Sequence, residues 1–91
     1  MRLDRFLWFA RLARTRALAQ GMAQSGQLRL DGRRVERAHL PVRIGSVIAM
    51  ARGGRVEVVQ VAALPVRRGP PAEARACYTM LTGIDGQAGP Q

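Results

Sequence analysis

The stretch Thr15-Arg16-Ala17-Leu18-Ala19-Gln20-Gly21-Met22-Ala23-Gln24-Ser25-Gly26-Gln27-Leu28-Arg29-Leu30-Asp31-Gly32-Arg33-Arg34-Val35 changes its period half-way along. Leu18 and Met22 stand four apart, so both face inward from one side of a helix. Arg16, Gln20 and Gln24 repeat at the same interval on the opposite face. Thr15 stands where a side-chain oxygen caps a first turn, and Gly26 where a left-handed residue ends the helix. Beyond it, Leu28 and Leu30 alternate with Gln27 and Arg29, the period of a strand. Asp31-Gly32 is a tight-hairpin dipeptide, because both central residues of such a turn need a positive φ. Arg33-Arg34-Val35 begins the return strand. A helix leading directly into a hairpin makes the chain α+β.

Upstream, Leu3, Phe6, Leu7 and Ala10 fall at i, i+3, i+4 and i+7, so residues 3–10 form a helix with one buried stripe. Arg5, Trp8 and Phe9 lie away from that stripe, and Arg11, Arg14 and Arg16 crowd the connection that follows. Downstream, Pro41 and Gly45-Ser46 mark loops, and residues 47–51 read as an apolar strand. Arg52-Gly53-Gly54-Arg55 is a turn, and residues 56–61 another strand. There Val56 and Val58 share one face while Val59 and Val61 share the other. Either both faces are covered or a bulge shifts the register. Arg67-Arg68-Gly69-Pro70-Pro71 reads as an exposed connector. Pro71 suits a first helical turn with Glu73 near its positive end, and the helix should run over residues 72–81. Gly83, Gly86, Gly89 and Pro90 argue for a flexible tail over residues 82–91.

With 91 residues, 47% of them hydrophobic, the chain has material for one small core. Its 15 basic residues are all arginine and face six acids, a net charge of +9 that points to a polyanionic partner. The longest apolar stretch, residues 58–66, includes Gln60 and Pro65 and is far short of the roughly 20 residues of a membrane span. Residues 6–10 are too short for a signal-peptide core. Cytoplasmic residence without membrane contact is therefore expected. Cys77 and His39 are single, which leaves no internal disulfide and makes metal, cofactor and nucleophile–base sites poor readings. The acids show no spacing suited to an acid–base pair, so no catalytic residue is assigned.

The arginines are placed unevenly. Residues 1–37 hold nine of them against three acids. Arg5, Arg11, Arg14 and Arg16 come from the helix pair, and Arg33, Arg34 and Arg37 follow the hairpin turn. If the hairpin packs beside the helices, these make one basic surface. Guanidinium groups bind phosphate with two parallel bonds and stack on bases, which suits structured RNA. A dispersed solvated face is the alternative. Trp8 either stacks on a base or lies half-buried under the C-terminal helix. A second class of function is an accessory subunit docking an acidic protein, and DNA binding is a weaker third.

These residues carry a resemblance. Arg2-Leu3-Asp4-Arg5-Phe6-Leu7-Trp8, then Arg11, Thr15-Arg16-Ala17-Leu18-Ala19 and the Gly26–Val35 hairpin, with Ile44-Gly45 and Val47-Ile48, resemble the S4 RNA-binding domain over about residues 2–50. The resemblance implies two antiparallel helices packed on a small bent antiparallel sheet. With the connector added, the expected organisation is an S4-type module over residues 1–64, a connector and C-terminal helix over 65–81, and the tail. The chain is most similar to stand-alone, ribosome-associated members, a heat-shock protein and a short ribosome quality-control factor. That similarity implies binding to large-subunit ribosomal RNA and tRNA, on a free large subunit still holding peptidyl-tRNA. Arg2, Arg5, Trp8, Arg11, Arg14, Thr15, Arg16, Gln20, Arg33, Arg34 and Arg37 are the RNA-binding candidates, and a monomer is expected. Asp31 stands where the family's hairpin usually has Asn, and Ser46 where Asp is common.

Overall fold

A computed structural model describes residues 1–82. Helix α1 (Leu3–Phe9) buries the expected stripe completely, with Leu3, Phe6, Leu7 and Ala10 all at 0% exposure. Its end is a Schellman turn: the N–H of Arg11 reaches the Trp8 carbonyl at 3.2 Å and that of Leu12 the Leu7 carbonyl at 2.9 Å. Glycine usually takes the left-handed position of this motif. Here Arg11 holds it, at φ 60°, and Leu12 is buried behind it.

Helix α2 (Arg16–Gln24) starts as expected, with the Thr15 hydroxyl oxygen accepting from the Leu18 N–H at 3.0 Å. Its buried face differs from the expected one. Ala19 and Ala23 are buried, whereas Leu18 is 53% exposed and Met22 only partly covered. The two candidate stripes lie one residue, or 100°, apart on the helix. The alanines face inward because small side chains let α2 approach its neighbour closely, and the longer residues line the rim.

Gly26 ends α2 at φ 82°, as expected, and the Arg34 guanidinium lies where a side chain there would project. Strands β1 (Leu28–Leu30) and β2 (Arg33–Arg34) form the hairpin, with Asp31 at φ 51° and Gly32 at φ 84°. The Asp31 carboxylate accepts the Val47 N–H at 2.9 Å and so ties the turn to the next strand. Asp31→Ala should cost about 1–2 kcal/mol, through the lost bond and a β-carbon left in the left-handed region, and Asp31→Asn far less. Urea unfolding of both variants checks this; equal losses would show that the side-chain bond is immaterial. Ser46 is buried, and its hydroxyl accepts the Arg43 N–H at 3.0 Å, which makes it a loop-forming residue.

Strands β3 (Val47–Arg52) and β4 (Arg55–Val61) pair without interruption from Val47↔Gln60 to Arg52↔Arg55, so there is no bulge. Nor are both faces covered: Val59 and Val61 are buried and Val56 is 60% exposed. The sheet is antiparallel, with β2, β1, β3 and β4 side by side in that order, and the inner-face residues Leu28, Ile48, Met50, Val59 and Val61 join the helix stripe in one core.

The C-terminal helix is a correction. Helix α3 spans only Pro71–Arg75, opening on Pro71 with Glu73 in its first turn as expected, and Tyr78–Met80 is strand β5. Residues 78–80 pair with β4 from Val61↔Tyr78 to Val59↔Met80. They complete an edge whose donors and acceptors would otherwise face water, and that pairing outweighs a few residues of helix propensity. The expected tail falls, from residue 83 on, outside the described residues. No helix among the described residues is long and apolar enough to cross a membrane.

Candidate nucleic-acid interface

The antiparallel helices leave a groove of about 240 Å³ lined by Arg2, Asp4, Arg5, Trp8, Phe9, Arg16 and Gln20. Helix spacing explains most of this set. Arg5, Trp8 and Phe9 leave the core stripe of α1, and Arg16 and Gln20 lie one turn apart on α2. Asp4 is buried to 6% exposure; its carboxylate accepts Arg2 Nε at 3.0 Å, Arg2 Nη2 at 2.8 Å and the Arg5 N–H at 2.8 Å. It therefore fixes Arg2 and compensates it locally, while the Arg5 side chain makes no ion pair among the described residues.

Trp8 is half-buried, packed against the core and with two arginines over its ring. The Arg16 Cζ lies 5.3 Å from its ring centroid and the Arg68 Cζ 5.7 Å, both within cation–π range. Arg68 also donates to the Trp8 carbonyl at 3.1 Å and to the Arg14 carbonyl at 3.3 Å, and Arg11 Nε donates to the Gly69 carbonyl at 2.7 Å. The connector is thus not an exposed link: Gly69 is buried and Arg68 half-buried against the helix pair. An Arg67–Glu73 ion pair at 2.8 Å braces its far side and holds the Glu73 carboxyl below its ordinary range, first through the hydrogen bond from Arg67.

Other candidates lie apart from this groove. Arg11 and Arg14 border a second depression with Leu18, Met22 and Arg68. Thr15 spends its acceptor on the cap. Arg33 and Arg34 border a third with Leu30, Asp31, Leu40 and Pro41, and Pro41 bridges to Arg2 through the backbone. Arg34 meets Glu36 at 3.9 Å with both side chains largely in water, a weak pair. Arg37 is exposed in the loop after β2. Three contributors, Asp4, Phe9 and Arg68, are absent from the candidates read from the sequence. The Arg2-x-Asp4 spacing was a legible signal for the first, whereas Arg68 had no local one.

The S4 domain model matches residues 1–48. The fold agrees over nearly the whole chain with a trimeric structure of Vibrio cholerae Heat Shock Protein 15, at TM-score 0.82 and 30% identity, covering 88% of this chain and 80% of that one. The chain belongs to the Heat shock protein 15 family of stand-alone S4-domain proteins. Within that family it is 33% identical over 78 residues to Heat shock protein 15 of Escherichia coli and 30% identical over 78 residues to the Haemophilus influenzae homolog. Each match covers 86% of this chain, but the chain spans only 58% and 59% of those two Heat shock protein 15 relatives.

Proposed function

We propose that this chain binds structured RNA without catalysis, as a ribosome-associated protein that holds large-subunit ribosomal RNA together with peptidyl-tRNA during recycling or quality control of stalled large subunits. The observation that carries this reading is the groove between α1 and α2, where Arg5, Arg16 and Gln20 flank an aromatic ring. A guanidinium beside an aromatic face suits phosphate and base at once, which an acidic protein surface does not require. Membership in the Heat shock protein 15 family supports the ribosomal setting. An accessory protein-docking role would call for an apolar patch on the last helix, and α3 presents Pro71, Ala72, Glu73 and Arg75 to solvent. On this reading the protein acts in the cytoplasm, as a monomer, with no cofactor.

Binding to purified large subunits tests the proposal. If about five Arg–phosphate contacts form, log affinity should fall against log salt with a slope of roughly −3.5 to −4.5, at about 0.7 to 0.9 counterions per contact. A slope near zero, or equal affinity for a duplex DNA of matched length, would overturn it.

A further inference from the structure

We infer that the groove between α1 and α2 is a subsite for one unpaired nucleotide, whose base stacks on Trp8 where the Arg16 guanidinium now lies while Arg16 turns to its phosphate. The inference rests on the RNA-binding reading above and assigns what this groove takes. At about 240 Å³ the groove is below the roughly 300–1,000 Å³ of a pocket that encloses a drug-sized ligand, and it has room for a planar base whose sugar and phosphate stay at the open mouth. Its chemistry is mixed in the manner a nucleotide needs. Trp8 and Phe9, with ring centroids 5.5 Å apart, supply the aromatic surface, and Arg5 on the same helix with Arg16 and Gln20 on α2 supply donors. The carboxylate in the lining does not repel a phosphate, because Asp4 is already compensated by both bonds from Arg2.

Trp8 points to an unpaired base. In a duplex both faces of every base are covered, so an aromatic ring in a basic groove gains little from it, whereas a splayed-out base offers an open π-face. The two guanidiniums on Trp8 differ in a way that makes exchange possible. Arg68 is tied by hydrogen bonds to the Trp8 and Arg14 carbonyls, and it is not part of the groove lining. The Arg16 side chain makes no hydrogen bond or ion pair among the described residues and touches the ring by cation–π contact alone. A planar base can therefore replace the Arg16 guanidinium on the ring at small cost, while Arg68 stays and holds Trp8 in place.

Trp8 is the only tryptophan, so its emission reports the subsite directly. The full chain is titrated with adenosine monophosphate, with adenosine and with inorganic phosphate. The nucleotide should quench Trp8, the nucleoside should do so with roughly tenfold lower affinity for want of one charge-assisted contact, and phosphate should leave the emission unchanged. In Arg16→Ala the preference for nucleotide over nucleoside should vanish while quenching by adenosine persists. Quenching by phosphate as strong as by the nucleotide, or an unchanged preference in Arg16→Ala, overturns the subsite. A second arm compares a hairpin RNA bearing one bulged nucleotide with its fully paired counterpart. Tighter binding of the bulged RNA with quenching of Trp8 supports the subsite. Equal binding of both with Trp8 unmoved overturns it and leaves RNA binding intact. Quenching by adenosine monophosphate with neither RNA bound supports the subsite and overturns the RNA-binding reading.

Discussion

Replacing Arg5 and Arg16 together by Ala is expected to weaken binding to large subunits by on the order of 100-fold, as each lost charge-assisted contact is worth about 1.4 kcal/mol or more. Both residues are exposed and line the groove, and neither side chain makes an ion pair among the described residues. Their removal leaves no buried group unsatisfied, so the thermal midpoint should hardly move. The control is a double variant of equal charge, Arg29→Ala with Arg75→Ala. Arg29 lies on the outer face of the sheet and Arg75 on α3, both exposed and away from the groove. That variant should lose only the few-fold affinity due to long-range attraction, which salt screens. Co-sedimentation at fixed salt reads both. Equal losses would mean that net charge alone drives association and that the groove has no special part in it. Arg11 is unsuited to the same test, because its bond to the Gly69 carbonyl makes it part of the scaffold.

Phe6→Ala should have the largest effect on the fold. Phe6 is fully buried at the centre of the α1 stripe, and truncating such a ring costs about 3–5 kcal/mol through lost burial and the cavity left behind. That is a large share of the roughly 5–15 kcal/mol that holds a domain folded. At about 4–8 °C per kcal/mol for a domain of this size, the midpoint should fall by tens of degrees. Leu18→Ala, by contrast, should cost well under about 1 kcal/mol, because over half of that side chain is already in water. Thermal unfolding of the pair tests the orientation of α2. A loss at Leu18 as large as that at Phe6 would mean that the helix buries its leucine stripe and not its alanine stripe.

Much of the groove was legible in the sequence because helix geometry is local. Once Leu3, Phe6, Leu7 and Ala10 are turned inward, Arg5 and Trp8 have nowhere to go but outward, and Arg16 and Gln20 share a face of α2 by their spacing of four. What the spacing could not supply was the partition of the arginines. Arg11 and Arg14 seemed equivalent to Arg5 and Arg16 along the chain, but the left-handed backbone of Arg11 turns the connection, and the pair borders a different depression.

Sequence by itself determined the cap of α2, its end and the hairpin turn that follows, although the left-handed Arg11 and the Arg2–Asp4 contact, equally local, came only with the structure. The Thr15 cap, the left-handed Gly26 and the Asp31-Gly32 turn each follow from what one side chain or its absence permits in its own backbone, so no distant partner is needed. Tertiary structure alone decided three things. Which of two adjacent stripes on α2 is buried depends on how closely a neighbouring helix approaches. Residues 78–80 became a strand because the edge of β4 offered hydrogen bonds that a longer α3 would have left unmade. Arg68 came to rest on Trp8 from 60 positions away. Such contacts form only after the intervening chain has folded back, and their energy comes from partners that no local pattern of residues encodes.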